Sequence, residues 1–179
     1  FYAERGGQVG DAGSLRSDGV EVEVTDTQNP YSHVNVHSAL VNSGTIHVGD
    51  AVIATVNEER RERIRRNHTA THLVHSALRQ VLGSHVRQTG SLVAPDRLRF
   101  DFTHVASMTS DEIRQVQDIV NDKIRENLDV SVEYTSYREA IDRGALAFFG
   151  DKYEADVRTI QIDGTWSYEL CGGTHMAHT

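Results

Sequence analysis

The segment from Glu58 to Leu82 constrains the fold more than any other part of the chain, because it contains neither glycine nor proline. Its apolar residues recur at helical spacing and therefore share one face. They are Leu73, Val74, Ala77, Leu78, Val81 and Leu82. Gly83 follows directly, where a left-handed cap is expected to stop a helix. The pattern predicts one long helix that buries this face.

Before this helix, apolar and polar residues alternate as they do in half-buried strands. Gly-Asp pairs at Gly10 and Gly49, together with Asn29-Pro30, supply the turns. The alternating apolar residues are Val20, Val22, Val24, Val34, Val36, Ile46 and Val48. We expect residues 1–57 to form a small β-barrel that is truncated at its N-terminus.

The remainder of the chain, residues 58–179, mixes strands and helices without a regular repeat. Every second residue from Leu98 to Phe102 is apolar, which predicts a strand. Thr109 followed by Glu112 is a capping-box pattern and predicts the start of a second helix. The buried face of that helix is expected to consist of Ile113, Val116, Val120 and Ile124.

Further strands are predicted at residues 130–134, where Val130, Val132 and Tyr134 alternate with polar residues, and within residues 157–170. Ser136 with Glu139 predicts a short helix between them. Because the elements do not repeat as strand–helix–strand units, we expect an α+β domain whose mixed or antiparallel sheet packs on helices.

The composition excludes several classes of protein. With 38% hydrophobic and 25% charged residues, the 179-residue chain has a globular composition. The single cysteine, Cys171, excludes an internal disulfide and indicates a reduced, cytoplasmic setting. No apolar run approaches the roughly 18 residues of a membrane span, and the first residues lack the order of a signal peptide. Since there is no initiator methionine, we expect a segment of a longer protein without membrane association.

The net charge of -8 argues against broad nucleic-acid binding, so any RNA contact must be local. The densest basic run comprises Arg60, Arg61, Arg63, Arg65 and Arg66. Glu59 and Glu62 precede Arg63 and Arg66 by four residues, a spacing that forms ion pairs on a helix. The run is therefore either an ion-paired solvated face or an RNA-contacting patch.

His68 and His72 lie four residues apart on the predicted helix, so their imidazoles project about 40° apart and can converge on one ion. Their face is turned away from the apolar stripe, and we expect it to line a cleft. Such a pair also occurs on solvated helix faces. His33 and His37 have the same spacing in a strand-like segment, which would separate them by ~13 Å, and we expect them not to share an ion.

The segment Cys171-Gly172-Gly173-Thr174-His175 adds a thiolate and an imidazole on a turn that glycine permits. Together with His68 and His72 they complete a tetrahedral nitrogen and sulfur set, which suits Zn²⁺ better than calcium, magnesium or manganese. Taken singly, Cys171 is equally a small buried hydrophobe and His175 a loop hydrogen-bond donor.

Four protein ligands normally form a closed structural zinc site, whereas catalytic zinc keeps a position for water. Hydrolysis at this site would need a fifth coordination position, departure of one ligand, or a zinc that only positions the substrate while another group orients the water. The sequence leaves these three possibilities open.

Four motifs, in the same order, resemble the editing domain of alanyl-tRNA synthetases. They are the residues from Phe1 to Asp11, the segment from His68 to Leu73, the segment from Arg87 to Phe102, and Cys171-Gly172-Gly173-Thr174-His175. The resemblance implies hydrolysis of the ester that joins a wrong amino acid, chiefly serine and also glycine, to the 3′ adenosine of alanine tRNA. The implied partners are that tRNA and the rest of a synthetase chain.

By the same resemblance, His68, His72, Cys171 and His175 correspond to zinc ligands, with Cys171 also part of the catalytic group. Thr71 and Gln88 correspond to residues implicated in hydrolysis and in sensing the seryl hydroxyl. The loop Gly6-Gly7-Gln8 corresponds to one that approaches the substrate. From the residues alone, Thr71 is equally a back-bonding helix threonine, Gln88 a surface amide, and the loop an ordinary turn.

A second site for rejecting serine makes physical sense, because serine is alanine plus one hydroxyl and a pocket for alanine cannot strongly exclude it. Alternatives remain: a free-standing editing protein, a threonyl-tRNA editing module, or a non-catalytic RNA-binding module that zinc only staples. Arg5 stands where that family often has a small residue. The 179 residues leave no room for an ATP-binding catalytic core.

Overall fold

The computed structural model describes residues 1–31, 34–147 and 155–179, which form an α+β fold of antiparallel sheets and helices. The strands are β1 (Gly13–Ser17), β2 (Val20–Tyr31), β3 (Val34–Ser43), β4 (Ile53–Val56), β5 (Gln88–Val93), β6 (Leu98–Phe102), β7 (Val130–Ser136), β8 (Asp156–Ile162) and β9 (Ser167–Leu170). The helices are α1 (Glu58–Leu82), α2 (Ser110–Arg125) and α3 (Tyr137–Asp142). None of the helices in these ranges is long and apolar enough to cross a membrane.

The N-terminal strands form an open antiparallel sheet in the order β3-β2-β1-β4, so the closed barrel that the alternation predicted is not shown. Val22 and Val24 are buried on its inner face, as predicted. Within the described residues, β4 pairs only with β1, and no ladder joins it to β3. The two ends of the sheet therefore remain edges.

The predicted strand through Ile46 and Val48 is wrong. This segment is a turn in which the Asp50 carboxylate accepts a hydrogen bond from the backbone N–H of His47 (2.7 Å). Such a local side-chain bond offers the backbone an alternative to a sheet ladder. Val48 is fully exposed as a result.

Helix α1 has the predicted bounds. Asn57 caps its first turn by accepting a hydrogen bond from the backbone N–H of Arg60 (3.0 Å). Gly83 ends the helix with φ 115° and ψ 169°, a positive φ that favours glycine but not the left-handed helical cap that we expected. On the apolar face, Leu73 packs with Ile160 and Ile162 of β8 in the main core.

Helix α2 begins at the predicted capping box of Thr109 and Glu112, but its predicted buried face is wrong at both ends. Ile113 is 51% exposed and Ile124 is 43% exposed. Val120 does pack against the main core. No residue of α2 is fully buried, so the core covers this helix only in part. The amphipathic pattern identified the helix, while its position at the surface of the described structure decided how much of the face is covered.

Four arginines of the basic run at the start of α1 are bonded within the chain, namely Arg60, Arg61, Arg63 and Arg65. Arg63 pairs with Glu59 (2.7 Å), as predicted, whereas Glu62 pairs with Arg65 (2.5 Å) at a spacing of three residues and not with Arg66 as expected. Arg60 donates to the carbonyl of Gly10 (2.7 Å). These contacts favour the ion-paired interpretation over an RNA-contacting patch.

A buried ion pair ties the N-terminal segment to α1. The Asp11 carboxylate is almost fully buried, and it accepts hydrogen bonds from the Arg61 guanidinium and from the backbone N–H of Tyr2. The backbone N–H of Asp11 also donates to the carbonyl of Tyr2 (2.8 Å). The segment that leads to the Gly6-Gly7-Gln8 loop is thereby held against the helix that carries His68 and His72.

We expect Asp11→Ala to lower the free energy of unfolding by about 3 kcal/mol, because it leaves the Arg61 guanidinium without its buried partner. The matched control is Glu59→Ala, which removes an exposed ion pair on the same helix and should cost less than about 1 kcal/mol. Urea unfolding followed by circular dichroism measures both. Equal losses in the two variants would contradict this assignment.

Candidate metal centre

Two imidazoles from α1 and two ligand groups from the C-terminal loop converge as the sequence predicts. The His68 and His72 rings are buried and stacked in parallel, with their centroids 5.5 Å apart. Cys171 directly follows β9, and His175 lies four residues further on. The potential ligand atoms of these four residues lie within 4.8 Å of one another.

The distances and donor set fit zinc. Cys171 Sγ lies 3.4 Å from His68 Nε2 and 3.3 Å from His175 Nε2. Sulfur and nitrogen ligands of one tetrahedral zinc ion are separated by about 3.5 Å, given Zn–S of ~2.3 Å and Zn–N of ~2.0 Å. His72 Nε2 is buried and makes no hydrogen bond with a described residue, so a metal ion would satisfy it.

The cysteine is held in the form that binds metals. Burial raises the pKa of the Cys171 thiol, but the charge of His68 and hydrogen bonds from His175 and His68 outweigh it and hold the pKa well below its usual value. The backbone N–H of Gly173 also points to the sulfur (3.4 Å). A thiolate, not a thiol, is the metal ligand.

Glu169 is a functional residue that sequence reasoning missed. It is buried, and it accepts hydrogen bonds from His72 Nδ1 (2.6 Å) and His75 Nδ1 (2.7 Å). A carboxylate at Nδ1 fixes the ring so that Nε2 faces the other candidate ligands. Glu169 lies two residues before Cys171, so it shares a strand face with that ligand; this spacing is the signal that could have identified it.

Glu169 and His72 each stabilise the charged form of the other. Burial raises the pKa of Glu169, but the adjacent His72 and His75 outweigh it and lower the value to about 2. Burial likewise lowers the pKa of His72, but the Glu169 carboxylate outweighs it and raises the value to about 10. Glu169 is therefore a carboxylate at neutral pH and orients the His72 ring as an anionic acceptor.

Gln8 holds the His68 ring at Nδ1, as Glu169 holds the His72 ring. Its Oε1 accepts hydrogen bonds from His68 Nδ1 (2.7 Å) and from the backbone N–H of Thr174 (2.9 Å), and its Nε2 donates to Thr174 Oγ1 (3.0 Å). Gln8 is fully buried. Of the predicted substrate-binding loop, Gly6 lines the cleft described next, Gly7 lies against Ser91, and Gln8 supports the metal ligands from behind.

A cleft of about 660 Å³ opens beside the cluster. His68, His72 and Cys171 form part of its wall, and Thr71 and Gln88 line the same space. The Thr71 hydroxyl donates to the carbonyl of Asn67 (2.8 Å), as a back-bonding helix threonine does, yet it remains at the cleft wall. The histidine face of α1 therefore borders a cleft, as predicted.

His37 belongs to the other pair of histidines four residues apart, and it lies away from the four clustered ligands. His37 lies in β3, where its Nδ1 contacts Thr27 Oγ1 (3.0 Å), and it is not part of the cluster. His33 lies outside the described residues, so its predicted separation from His37 stays a prediction.

Known proteins match this chain along its whole length. It is 50% identical over 179 residues to the alanine–tRNA ligase of Wolbachia pipientis wMel, covering all of this chain and 20% of that protein. The alanine–tRNA ligase of Acetivibrio thermocellus is 52% identical over 176 residues, covering 98% of this chain and 20% of that protein. The whole chain is similar to part of an alanine–tRNA ligase.

A family model described as tRNA synthetases class II (A) matches residues 1–60. The matched part contains the open sheet and the first residues of α1, whereas the four clustered ligands lie outside it. The chain spans about a fifth of the length of the curated alanine–tRNA ligases it matches.

Gly173→Ala should disrupt the cluster, because a Cβ at this position would overlap the His68 ring and lie 2.9 Å from Gln8 Oε1. Its neighbour Gly172 is the matched control, since a Cβ there meets nothing within 4 Å and neither glycine has a positive φ. We expect Gly173→Ala to bind zinc at least about tenfold more weakly and Gly172→Ala to bind it normally. Zinc content after dialysis against a chelator measures both, and equal retention would refute the proposed packing.

Proposed function

We propose that this chain is the editing domain of an alanyl-tRNA synthetase and hydrolyses the ester that joins serine or glycine to the 3′ adenosine of alanine tRNA. The observation that carries the proposal is the convergence of four zinc-type ligands, three of which line a cleft that Thr71 and Gln88 also line. Similarity to alanine–tRNA ligases supports the substrate class. The remaining four-fifths of such a ligase would supply aminoacylation.

The reaction adds one water molecule across the ester bond. The water oxygen bonds to the carbonyl carbon, the bond from that carbon to the ribose 3′ oxygen breaks, and a proton passes to this leaving oxygen. Zinc bound to the four ligands would act as a Lewis acid or fix the position of the ester. Gln88 is suited to hold the water, because its amide both donates and accepts hydrogen bonds.

Thr71 is suited to distinguish serine from alanine. Its hydroxyl proton is already donated to the carbonyl of Asn67, so its oxygen is left as an acceptor at the cleft wall. A seryl hydroxyl can donate to that oxygen, whereas the methyl side chain of alanine has no hydrogen-bond donor. Glycine lacks the hydroxyl as well, so its hydrolysis does not depend on this contact.

The zinc-loaded chain should accelerate loss of serine from seryl-charged alanine tRNA and spare the alanyl ester. His175→Ala should abolish both zinc retention and hydrolysis. His178→Ala is the matched control: this exposed histidine pairs with Asp129 (3.1 Å) outside the cluster. Release of radiolabelled amino acid and metal analysis measure the two properties, and full hydrolysis by a zinc-free Cys171→Ala variant would reject the metal mechanism.

The alternative, a non-catalytic RNA-binding module whose fold is only stabilised by zinc, predicts a different result. It would retain zinc and bind tRNA, but the wild-type chain would leave the seryl ester intact even at high protein concentration. Thr71 and Gln88 would then be dispensable. The same assay therefore separates the two functions.

Thr71→Val keeps the shape of the side chain and removes only the hydroxyl. We expect seryl-ester hydrolysis to fall by roughly fivefold, the value of one net hydrogen bond of ~1 kcal/mol, with glycyl-ester hydrolysis unchanged. The ratio of kcat/KM for the two esters measures this effect. A parallel fall for both would show that Thr71 supports the helix and does not sense serine.

A further inference from the structure

A row of three residues crosses the C-terminal sheet and ends at the metal cluster. In the antiparallel register of β7 and β8, Tyr134 lies opposite Arg158. The backbone N–H of Cys171, the residue after β9, donates to the carbonyl of Arg158 (3.0 Å). Cys171 is therefore the third member of this row, next to Arg158. Because adjacent strands are ~4.8 Å apart, Tyr134 and Cys171 are separated by about 10 Å along this row.

The neighbouring row on the same face of the sheet packs against α1, whereas the row of Tyr134 lies beside the cleft. Val132 lies opposite Ile160, and Ile160 lies opposite Glu169, whose side chain bonds to His72 on α1. Ile160 and Glu169 are buried. Residues two apart on a strand share a face, so the row of Tyr134, Arg158 and Cys171 continues this surface into the cleft.

Tyr134 is unusual for a residue that borders a cleft. Its side chain is 77% exposed, and no hydrogen bond or ring contact among the described residues involves it. Its neighbour Arg158 is anchored by a hydrogen bond to the Cys171 carbonyl (2.7 Å) and also lines the cleft. An exposed aromatic ring beside an anchored guanidinium is the combination that binds an unpaired nucleotide.

We infer that Tyr134 is the stacking platform for the terminal nucleobase of the substrate. This inference rests on the proposed function. When the ester lies at Cys171, the ribose lies over Arg158, whose remaining N–H groups can donate to the sugar hydroxyls. The base attached to that ribose then reaches the Tyr134 ring. Stacking on an aromatic face does not read sequence, which suits a 3′ end whose last nucleotide is common to all tRNAs charged by the enzyme.

The test compares binding of two non-hydrolysable probes to the zinc-loaded chain by calorimetry. One is the amide-linked analogue seryl-3′-amino-3′-deoxyadenosine, and the other is the same analogue without its base. Tyr134→Ala should weaken binding of the first probe by about 5- to 150-fold and leave the second unchanged. Tyr134→Phe keeps the ring and should bind both probes as the wild type does.

Tyr31→Ala is the matched control, because this tyrosine is 73% exposed on β2 and does not line the cleft. It should bind both probes normally. Unchanged binding of the adenosine probe by Tyr134→Ala, or equal weakening of both probes, would overturn the inference. Failure of the proposed function gives a different result, namely a wild-type chain that leaves every seryl ester intact.

Discussion

The orientation of two imidazole rings on α1 is the constraint on which the rest of the site depends. Each ring is held at Nδ1 by a buried acceptor, His68 by Gln8 and His72 by Glu169. Because Nδ1 is the donor to these acceptors, Nε2 is the ring nitrogen that faces the cluster and can bind a metal ion once it has lost its proton. The cysteine sulfur then lies within 3.4 Å of the His68 Nε2 atom. Without these acceptors the rings could rotate, and the four ligand atoms would not share one centre.

The two acceptors differ in charge and in origin. Gln8 is neutral and comes from the N-terminal loop, which the ion pair of Asp11 and Arg61 holds against α1. Glu169 is charged and comes from β9, where it also holds His75. The candidate metal centre is therefore connected to both ends of the described structure. A disturbance of either the N-terminal loop or the C-terminal sheet would reach the candidate ligands through one buried side chain, Gln8 or Glu169.

Much of the local structure followed from patterns in the sequence. The absence of glycine and proline predicted α1, and the capping box at Thr109 predicted the start of α2, because both features act within a few residues. The turn at Ile46 and Val48 was misread because the Asp50 side chain competes with strand pairing. Sheet closure was also overestimated, since alternation reports a half-buried strand and says nothing about which strands pair.

For the site, the residue types and spacing were sufficient to identify His68, His72, Cys171 and His175 as a candidate ligand set, because thiolate and imidazole groups favour zinc wherever they meet. Only the tertiary structure brought the helix and the C-terminal loop, about a hundred residues apart in the chain, to within 4.8 Å. It alone assigned Gln8 and Glu169 as acceptors behind the rings and left the Tyr134 ring exposed at the cleft. Hydrogen-bond partners and exposure depend on contacts distant in sequence, and no local pattern encodes them.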